Sequence, residues 1–545
     1  MKITKIKIEN FRSIKELSLT SNSGINSIVG ANSTGKTNFF EAINWILGHT
    51  YPSFNSVRKQ DYFKGDTTNK IKIRLTFDDK EYLELAEEWT DPYGHIKSGL
   101  NHSGKYCTDE TRRKYCIAHV GVDREITEYL PANRWSLLGR LLQQINDMFI
   151  EEKIDGSTTL KSDKLKEDLD KIRDELLFSV KDQDGNKIMD KFVTILREEF
   201  TKQMNCSNCE VSLNFNLYNP WNFYKTLQLI VREEELNQDF QASELGMGFQ
   251  ASITIAILKA YASLKLKNQP PIFIDEPELF LHPQAQRNFY KILRELSDQG
   301  AQIFYTTHSP NFLSVANFDE VFITRKNGNG TYVNYVDASK FVIDHLRRTG
   351  NAVDSSSLKL QYQNAYENTG DSRESSEAFF AKKIILVEGQ SERLLLPYYF
   401  KKIGYDFVHD GVTIVCCGNK SEIPRFFRLY SEFGIPCYVL FDGDSQHAGT
   451  ASEALTIRKN KEFFSLLEPS NTTNFPDDTP KDNYLGFEKT LNDNLGFPSV
   501  KKGLSLFIEA KQKYDNEHVS IPNWTADITQ KIKQLPLTAH SVLQS

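Results

Sequence analysis

Alternation of apolar and polar residues marks the predicted strands of this chain, and helical spacing marks segments between them. Residues 3–8 and 25–29 have strand patterns, and the second runs directly into a loop that contains glycine. From Asn38 onward the spacing is helical without a breaker, and residues 71–77 alternate again. Further apolar strands end in polar residues near positions 275, 307, 388 and 442. The pattern predicts an α/β protein.

Length and local composition divide the chain. With 545 residues it is too long for one core, which indicates two or three domains. Residues 351–376 are polar and serine-rich, and they form the best candidate for a linker. We therefore expect a second α/β domain at 377–545. The family resemblance set out below implies in addition a first domain built from 1–134 and 216–350, with an insert at 135–215 between its two parts.

The insert contains a helical pattern. Leu165, Leu169, Ile172 and Leu176 fall on one face of that helix. The stripe fits either a coiled-coil seam that joins two protomers or a helix packed on its own domain, and the sequence leaves both open. We expect the insert to be helical and to contribute to dimerisation.

Composition and targeting signals change the picture little. No run of 18 apolar residues occurs, so no membrane span is predicted, and the N-terminus resembles a strand rather than a signal peptide. A cytoplasmic protein is the expectation. The formal net charge of −6 means that any binding to DNA depends on local basic patches or on metal ions that screen carboxylates.

The seven cysteines are scattered, which argues against a disulfide framework. Cys206 and Cys209 form a lone CxxC pair, which supplies half of a tetrahedral zinc site, and whether they bind metal stays open. Cys416, Cys417 and Cys437 lie in apolar stretches and are predicted to be core residues.

A complete GxxxxGK[ST] sequence spans residues 30–37, after a predicted strand and before a predicted helix. Glycines let such a loop curl so that backbone N–H groups face phosphates. Lys36 would reach the β- and γ-phosphates, and the Thr37 hydroxyl would hold magnesium. The alternative is an ordinary surface turn. The nucleotide-binding residues predicted in and beside the loop are Asn32, Gly35, Lys36, Thr37 and Asn38.

Three further segments complete a nucleotide site. An apolar strand ends at Asp275, which would support magnesium, and at Glu276, which would orient the attacking water as a catalytic residue. Another strand ends at His308, which can sense the γ-phosphate. A turn of small residues opens the predicted helix 251–264, and its nucleotide-binding candidates are Ser243, Gly246 and Gly248.

Acidic residues end two strands in the second domain. Glu388 ends the first, Glu392 lies in the helical turn after it, and Asp442 and Asp444 end the second. Parallel strands would bring these acids together at their carboxyl ends. Four carboxylates in one pocket repel one another, and a divalent ion such as magnesium or manganese resolves that conflict.

In this order the nucleotide motifs resemble the ABC-type ATPases of the RecF, SMC and OLD group. The opening IENFRSI is similar to the start of that group, which places Arg12 near the base or ribose, and Gln60 is a candidate Q-loop residue. Two ATPase heads sandwich ATP in that group. The resemblance implies that Ser243, Gly246 and Gly248 of one head complete the ATP site of the other head, although this sequence departs from the usual LSGGQ motif.

The acidic segments EGQSE and DGD look like the TOPRIM domain of OLD-family nucleases, in which two metal ions cleave phosphodiester bonds. Glu388 and Asp442 are the surest ligands by this resemblance, and Glu488 is a further candidate. Lys502 would neutralise the scissile phosphate, with Lys501 and Lys511 as rivals. Glu488 and the lysine could instead be solvated helix ends.

The whole resemblance implies an ATP-binding, divalent-metal-dependent DNA endonuclease: an ABC-type ATPase domain with a helical dimerisation insert, then a TOPRIM domain. It implies two magnesium or manganese ions in the TOPRIM site, one magnesium with ATP, and a homodimer or higher oligomer. Residues 128–134 are similar to a PAxR stretch of these ATPases.

Gabija-type and retron-associated anti-phage nucleases are similar, so a defence role is expected, with a partner defence protein or retron nucleic acid as an open partner. The alternative is a nucleotide-sensing regulatory ATPase whose TOPRIM domain acts only with a partner. A topoisomerase is disfavoured because no additional tyrosine-bearing domain fits in this length.

Overall fold

The computed structural model divides the chain into two compact units. One unit combines Met1–Lys114 with Ile274–Ser545, and the other is Tyr115–Phe273. The described residues are 1–48, 50–115, 117–121, 137–154, 158–204, 219–224, 230–233, 238–241, 244–263, 270–337, 354, 357, 360, 363–364, 373–516 and 519–537.

An antiparallel sheet opens the first unit. Its strands are β1 (Ile3–Phe11), β2 (Ile14–Thr20), β4 (Lys72–Phe77), β5 (Tyr82–Thr90), β6 (Ile96–His102) and β7 (Lys105–Tyr106). They are arranged in the order β2-β1-β4-β5-β6-β7. Burial alternates along β4, because successive side chains of a strand point to opposite faces and only the apolar set faces inward.

A second sheet contains the strand before the glycine loop. Its members in the first unit include β3 (Ile25–Val29), β12 (Ile303–Thr307), β13 (Val321–Asn327) and β14 (Gly330–Tyr335). β3 pairs in parallel with β12 and with β13, and β14 is antiparallel to β13. Every residue of β3 is buried, as expected of a parallel strand covered on both faces. The short strand β11 (Ile272–Ile274) leads directly into Asp275.

The helices of the first unit are α1 (Lys36–Leu47), α2 (Asp109–Arg113), α8 (Pro283–Asp298), α9 (Arg373–Glu377), α10 (Gln390–Lys402), α11 (Ile423–Glu432), α12 (Glu453–Leu467), α13 (Leu491–Asn494), α14 (Leu504–Asp515) and α15 (Trp524–Gln534). The C-terminal end of α1 is fixed by the buried Arg112, which donates to the carbonyls of Ile46 at 3.1 Å and Gly48 at 2.8 Å. These carbonyls lack partners within the helix, so the guanidinium anchors the helix that follows the glycine loop.

A four-stranded parallel sheet forms the C-terminal part. Its strands are β15 (Lys383–Val387), β16 (Val412–Cys416), β17 (Cys437–Asp442) and β18 (Tyr484–Phe487). The order is β16-β15-β17-β18, and each neighbouring pair is parallel. β15 and β17 are buried along their whole length. Their carboxyl ends meet at one edge of the sheet, as the sequence predicted.

One hydrophobic core joins this C-terminal sheet to the sheet that contains β3. It contains Val29 and Ile323 from the earlier sheet together with Phe379 and Leu386. Ser376 Oγ also donates to the carbonyl of Leu313 at 3.1 Å. The predicted linker 351–376 lies mostly outside the described residues, and its last residues begin α9.

The second unit is mainly helical in its described part. Its elements are β8 (Ala118–Val120), α3 (Leu137–Glu151), α4 (Lys161–Ile172), α5 (Ile188–Met204), α6 (Pro220–Tyr224), β9 (Ile230–Glu233), β10 (Gln238–Gln241) and α7 (Met247–Ser263). Leu169 is buried, but Ile172 is 46% exposed and Leu176, in a π-helical turn after α4, is 64% exposed. Residues 128–134 and the Cys206–Cys209 pair lie outside the described residues. None of the described helices is long and apolar enough to cross a membrane.

The shared core predicts that the two sheets lose stability together. Phe379→Ala removes a ring packed edge-on against Tyr430 at 5.8 Å and Phe433 at 5.2 Å between centroids. We expect the free energy of unfolding to fall by about 3–5 kcal/mol in a urea titration. Hydrogen exchange should quicken in β13 as well as in β15. Loss of protection in β15 with β13 unchanged would contradict one shared core, and the exposed Tyr93→Ala is the control.

Candidate nucleotide and metal sites

The glycine loop between β3 and α1 has the curled geometry that its sequence predicted. Gly30 and Gly35 have φ of 151° and 106°, which side chains rarely adopt. A Cβ atom on Gly35 would also collide with Thr331 and Ser13. Thr34 Oγ1 bonds to the carbonyl of Ala31 at 2.8 Å, which closes the loop on itself. Substitution of either glycine would therefore open this loop.

Lys36 lies inside the loop. Its Nζ donates to the carbonyls of Gly30 at 3.0 Å and Ala31 at 3.1 Å. Burial lowers the pKa of Lys36, while Glu276 and Asp275 oppose that shift. Among the other predicted loop residues, Asn32 and Thr37 are exposed, and Asn38 Nδ2 donates to Ser13 Oγ at 2.7 Å.

The acids after β11 meet the end of β12. Thr306 Oγ1 donates to Asp275 Oδ1 and accepts from the backbone N–H of Glu276 at 3.0 Å. Glu276 has a φ of 47°, a left-handed conformation that a non-glycine residue adopts at a cost. His308 Nε2 lies 3.8 Å from Glu276 Oε1. Burial and then the Lys36 charge lower the pKa of His308, which favours the neutral form of the ring.

Glu278 is a functional candidate that the sequence analysis missed. Its Oε2 accepts from Thr307 Oγ1 at 2.8 Å, and its Oε1 accepts from the backbone N–H of His308 at 2.5 Å. Burial raises the pKa of Glu278. This carboxyl therefore holds the end of β12 next to His308. The signal that could have identified Glu278 in the sequence was its place two residues after Glu276.

Arg12 borders a cavity of about 770 Å³ beside the glycine loop. Arg12 Nε bonds to Asp61 Oδ1 at 3.1 Å, and its Nη1 pairs with Glu41. Gln60, the Q-loop candidate, lines the same cavity as Arg12 and Asn38. The structure therefore groups these three predicted residues around one space.

The predicted turn of small residues belongs to the second unit. Ser243 lies outside the described residues. Gly246 precedes α7, and its carbonyl accepts from the backbone N–H of Phe249 at 2.9 Å. Gly248 is exposed in the first turn of the helix.

The four predicted carboxylates of the C-terminal sheet converge. Glu388 follows β15 and Asp442 ends β17, and the backbone N–H of Asp442 donates to Glu388 Oε1 at 2.7 Å. Glu392 is 4% exposed at the start of α10, where its Oε2 accepts from the backbone N–H of Gly389 at 3.2 Å. Asp444 stands at the turn after β17 with a left-handed φ of 56°.

Burial raises the pKa values of three acids in this cluster. Burial raises the pKa of Glu388 to about 8, and the neighbouring Asp442 and Glu392 add to that shift. Burial also raises the pKa of Glu392, where Asp442 again contributes. The pKa of Asp442 is raised by burial, although Lys502 opposes it. Buried acids whose charge is disfavoured in this way are typical of functional sites.

Of the three candidate lysines, the structure brings Lys502 to the acids. Its Nζ lies 2.5 Å from Asp442 Oδ2. Burial lowers the pKa of Lys502, but the attraction of Asp442 outweighs this and the net shift is upward. Lys511 instead pairs with Asp515, and Lys501 is exposed.

Glu488, the further candidate ligand, is exposed and lies beside the turn that carries Asp442 and Asp444, since its carbonyl accepts from the backbone N–H of Ser445 at 3.0 Å.

A second lysine, which the sequence analysis missed, enters from another element. Lys420 follows β16, and its Nζ donates to the carbonyl of Asp442 and to Asp444 Oδ2, the latter at 2.9 Å. Its place in the sequence did not reveal this role, because the contact forms only when the strands pair.

The donor set fits a divalent ion by its chemistry. Glu388, Glu392, Asp442 and Asp444 offer carboxylate oxygens, the ligands that magnesium and manganese prefer. Within the described residues no three acidic, histidine or cysteine side chains already form a cage for an ion. The ammonium of Lys502, which pairs with Asp442, provides the positive charge that such an ion would supply.

The cysteines of the C-terminal sheet behave as predicted. Cys417 and Cys437 are buried, and Cys416 is partly buried at the end of β16.

Two family descriptions match this chain. Residues 25–314 match "AAA domain, putative AbiEii toxin, Type IV TA system". Residues 379–444 match "Overcoming lysogenization defect protein-like, TOPRIM domain". The second range contains Glu388, Glu392, Asp442 and Asp444.

Three relatives resemble the chain over most of its length. The OLD nuclease of Thermus scotoductus is 26% identical over 483 residues, which cover 84% of this chain and 85% of the relative. The Old nuclease of Escherichia phage P2 is 24% identical over 82% of this chain and 77% of the relative. Endonuclease GajA of Bacillus cereus is 21% identical over 88% of this chain and 82% of the relative.

The raised pKa of Glu388 predicts a pH-dependent stability of the metal-free protein. The unfolded carboxyl titrates near about 4.3, and the folded one near about 8. Between these values the folded state binds the proton more tightly, so the free energy of unfolding falls as pH rises. Glu388→Gln removes this titration and keeps the acceptor oxygen. In thermal melts with chelator we expect the variant to gain stability over wild type at pH 8.5 and to lose that advantage at pH 5. An equal difference at both pH values would contradict a buried ionisation.

Proposed function

We propose a mechanism and a role for this chain on the premise that it belongs to the OLD family of nucleases and joins an ABC-type ATPase domain to a TOPRIM domain. It cleaves DNA in a reaction that depends on divalent metal ions, and it binds and hydrolyses ATP. One observation carries the nuclease part: the carboxylates at the adjacent ends of β15 and β17 lie together, and Lys502 reaches Asp442.

Glu388 and Asp442 are the principal metal ligands in this proposal, and Glu392, Asp444 and Glu488 complete the set for two ions. Held by these acids, magnesium or manganese would supply an activated water and would stabilise the leaving oxygen. The protein holds the acids in place: the backbone N–H of Leu491 donates to Asp442 Oδ1 at 2.8 Å, which fixes that carboxylate.

In this proposal the side chain of Lys502 moves between two partners, Asp442 and the scissile phosphate. Without metal it neutralises Asp442, and its side chain is 53% exposed. Because a partly exposed lysine is flexible and keeps its charge, it can turn from Asp442 towards the scissile phosphate. It then acts as a catalytic residue by neutralising charge on that phosphate.

The nucleotide site is assigned in the same way. Lys36 binds the β- and γ-phosphates, while Thr37 and Asp275 hold magnesium. Glu276 orients the attacking water, and His308 senses the γ-phosphate. The other proposed ATP contacts are Asn32, Gly35, Asn38 and Arg12 of the same chain, and Ser243, Gly246 and Gly248 from the second copy of a homodimer or higher oligomer.

A bacterial anti-phage effector is the role that we propose from the family resemblance. The partner would be a second defence protein or a retron nucleic acid. Expression of the chain with its neighbouring genes during phage challenge tests this role, and protection that persists after Glu388→Ala would contradict a defence based on cleavage.

Cleavage should depend on Glu388. We expect wild-type protein with manganese or magnesium to nick or cut plasmid DNA, and chelator to stop it. Glu388→Ala should lower the rate at least about 100-fold, because it removes a ligand from the reacting centre. Gel electrophoresis of plasmid measures this. Glu509→Ala, an exposed acid on α14, is the matched control and should cleave like wild type. Undiminished cleavage by Glu388→Ala would refute the site.

Hydrolysis of ATP should depend on Glu276. Glu276→Gln should lower phosphate release on the order of 100-fold or more while ATP still binds, because the amide cannot accept a proton from water. Lys36→Ala should instead weaken ATP binding and leave manganese binding at the C-terminal acids unchanged. If wild type releases no more phosphate than Glu276→Gln, the domain is a nucleotide sensor rather than a working ATPase.

A further inference from the structure

The turn that carries Asp442 and Asp444 is fastened on one side by backbone hydrogen bonds. The N–H of Gly443 donates to the carbonyl of Phe487 at 2.6 Å, and the N–H of Asp444 donates to that of Lys489 at 2.8 Å. Asn460 Nδ2 holds the carbonyl of Gly443 at 2.8 Å. These bonds involve elements near β18 and α12.

The opposite side of the turn is held by Lys420. Its side chain is 8% exposed, whereas that of Lys502 is 53% exposed. The ammonium of Lys420 bridges the carbonyl of Asp442 and the carboxylate of Asp444. A lysine that is buried to this degree, and that holds two oxygens of one turn, is fixed in position.

We propose that Lys420 is a positioning residue of the metal site, which holds the Asp442–Asp444 turn in the orientation that its ligands require. Lys502 can leave the acids when a metal ion takes over their charge, but Lys420 stays. Its bond to the Asp442 carbonyl leaves both oxygens of that carboxylate for other partners. Its bond to Asp444 Oδ2 is shorter than the 3.3 Å bond from Gln446 Nε2 to Oδ1 of the same carboxylate, so Lys420 is the main restraint on that side chain.

Two physical roles of Lys420 predict opposite effects on metal affinity. If Lys420 were only a counter-charge, its removal would strengthen the binding of a cation, because one repelling charge is lost. If Lys420 positions the ligands, its removal weakens binding, and loss of a residue that orients metal ligands costs on the order of 10- to 100-fold in affinity. The sign of the change therefore distinguishes the roles.

The test is manganese binding to the full chain without DNA or nucleotide, followed by the electron paramagnetic resonance signal of free Mn²⁺. Glu388→Ala defines binding outside the C-terminal acids. We expect Lys420→Met, which keeps the apolar stem, to weaken binding at this site by about 10- to 100-fold. Lys420→Arg, which keeps charge and donors, should restore a large part of the affinity.

Lys501→Met is the matched control, since it removes one exposed positive charge beside Lys502 and should not weaken manganese binding. Equal or tighter binding by Lys420→Met would overturn the proposal, and so would Lys420→Arg binding as weakly as Lys420→Met. If Lys420→Met loses its cooperative thermal transition, Lys420→Gln replaces it, and wild-type affinity in that variant would overturn the proposal.

This inference rests on the proposed nuclease function, but the two can fail separately. Wild type that binds no more manganese than Glu388→Ala would contradict the metal site itself. Wild type with a site that depends on Glu388, together with an unaffected Lys420→Met, would contradict the positioning role alone.

Discussion

The C-terminal site depends on the burial of carboxylates beside one another at the edge of a parallel sheet. The pairing of β15 with β17 places Glu388 against the backbone N–H of Asp442, where Asp442 is buried and Glu388 is partly buried. Repulsion and burial both favour the protonated forms, so the fold supplies ammonium groups as compensation. Two lysines from different elements meet this need, and their exposure sets them apart: one is fixed and one can move.

Local sequence patterns were sufficient to predict where the acids and the glycine loop lie relative to the strands and helices. A strand that ends in Glu388, followed four residues later by Glu392, predicts a strand, a turn and a helix start, and the structure has β15 and α10 at these positions. The same reasoning placed the glycine loop between β3 and α1. These predictions succeed because parallel strands present their carboxyl ends on one edge, so that sequence position determines spatial position.

Contacts between residues far apart in the chain could not be predicted from the sequence. Lys502 was preferred over Lys501 and Lys511 only by resemblance, and its contact with Asp442, 60 positions away, depends on where α14 begins. Lys420 was not singled out by any motif, and Glu278 had only its place two residues after Glu276 as a signal, since each acts through a contact that forms when the chain folds. Sequence periodicity predicts which face of an element is buried, but it does not predict which distant side chain reaches a given oxygen.

The candidate nucleotide and metal sites rest on one shared hydrophobic core rather than on two independent cores. β12 ends at Thr307 and His308, and the chain then passes through Leu313, whose carbonyl holds Ser376 at the start of the C-terminal part. In α9, Glu374 pairs with Arg393, the neighbour of Glu392 in α10. A close-packed core transmits a displacement instead of absorbing it, because it has few voids into which side chains can move. The segment that presents His308 and the helix that presents Glu392 are therefore both in contact with α9.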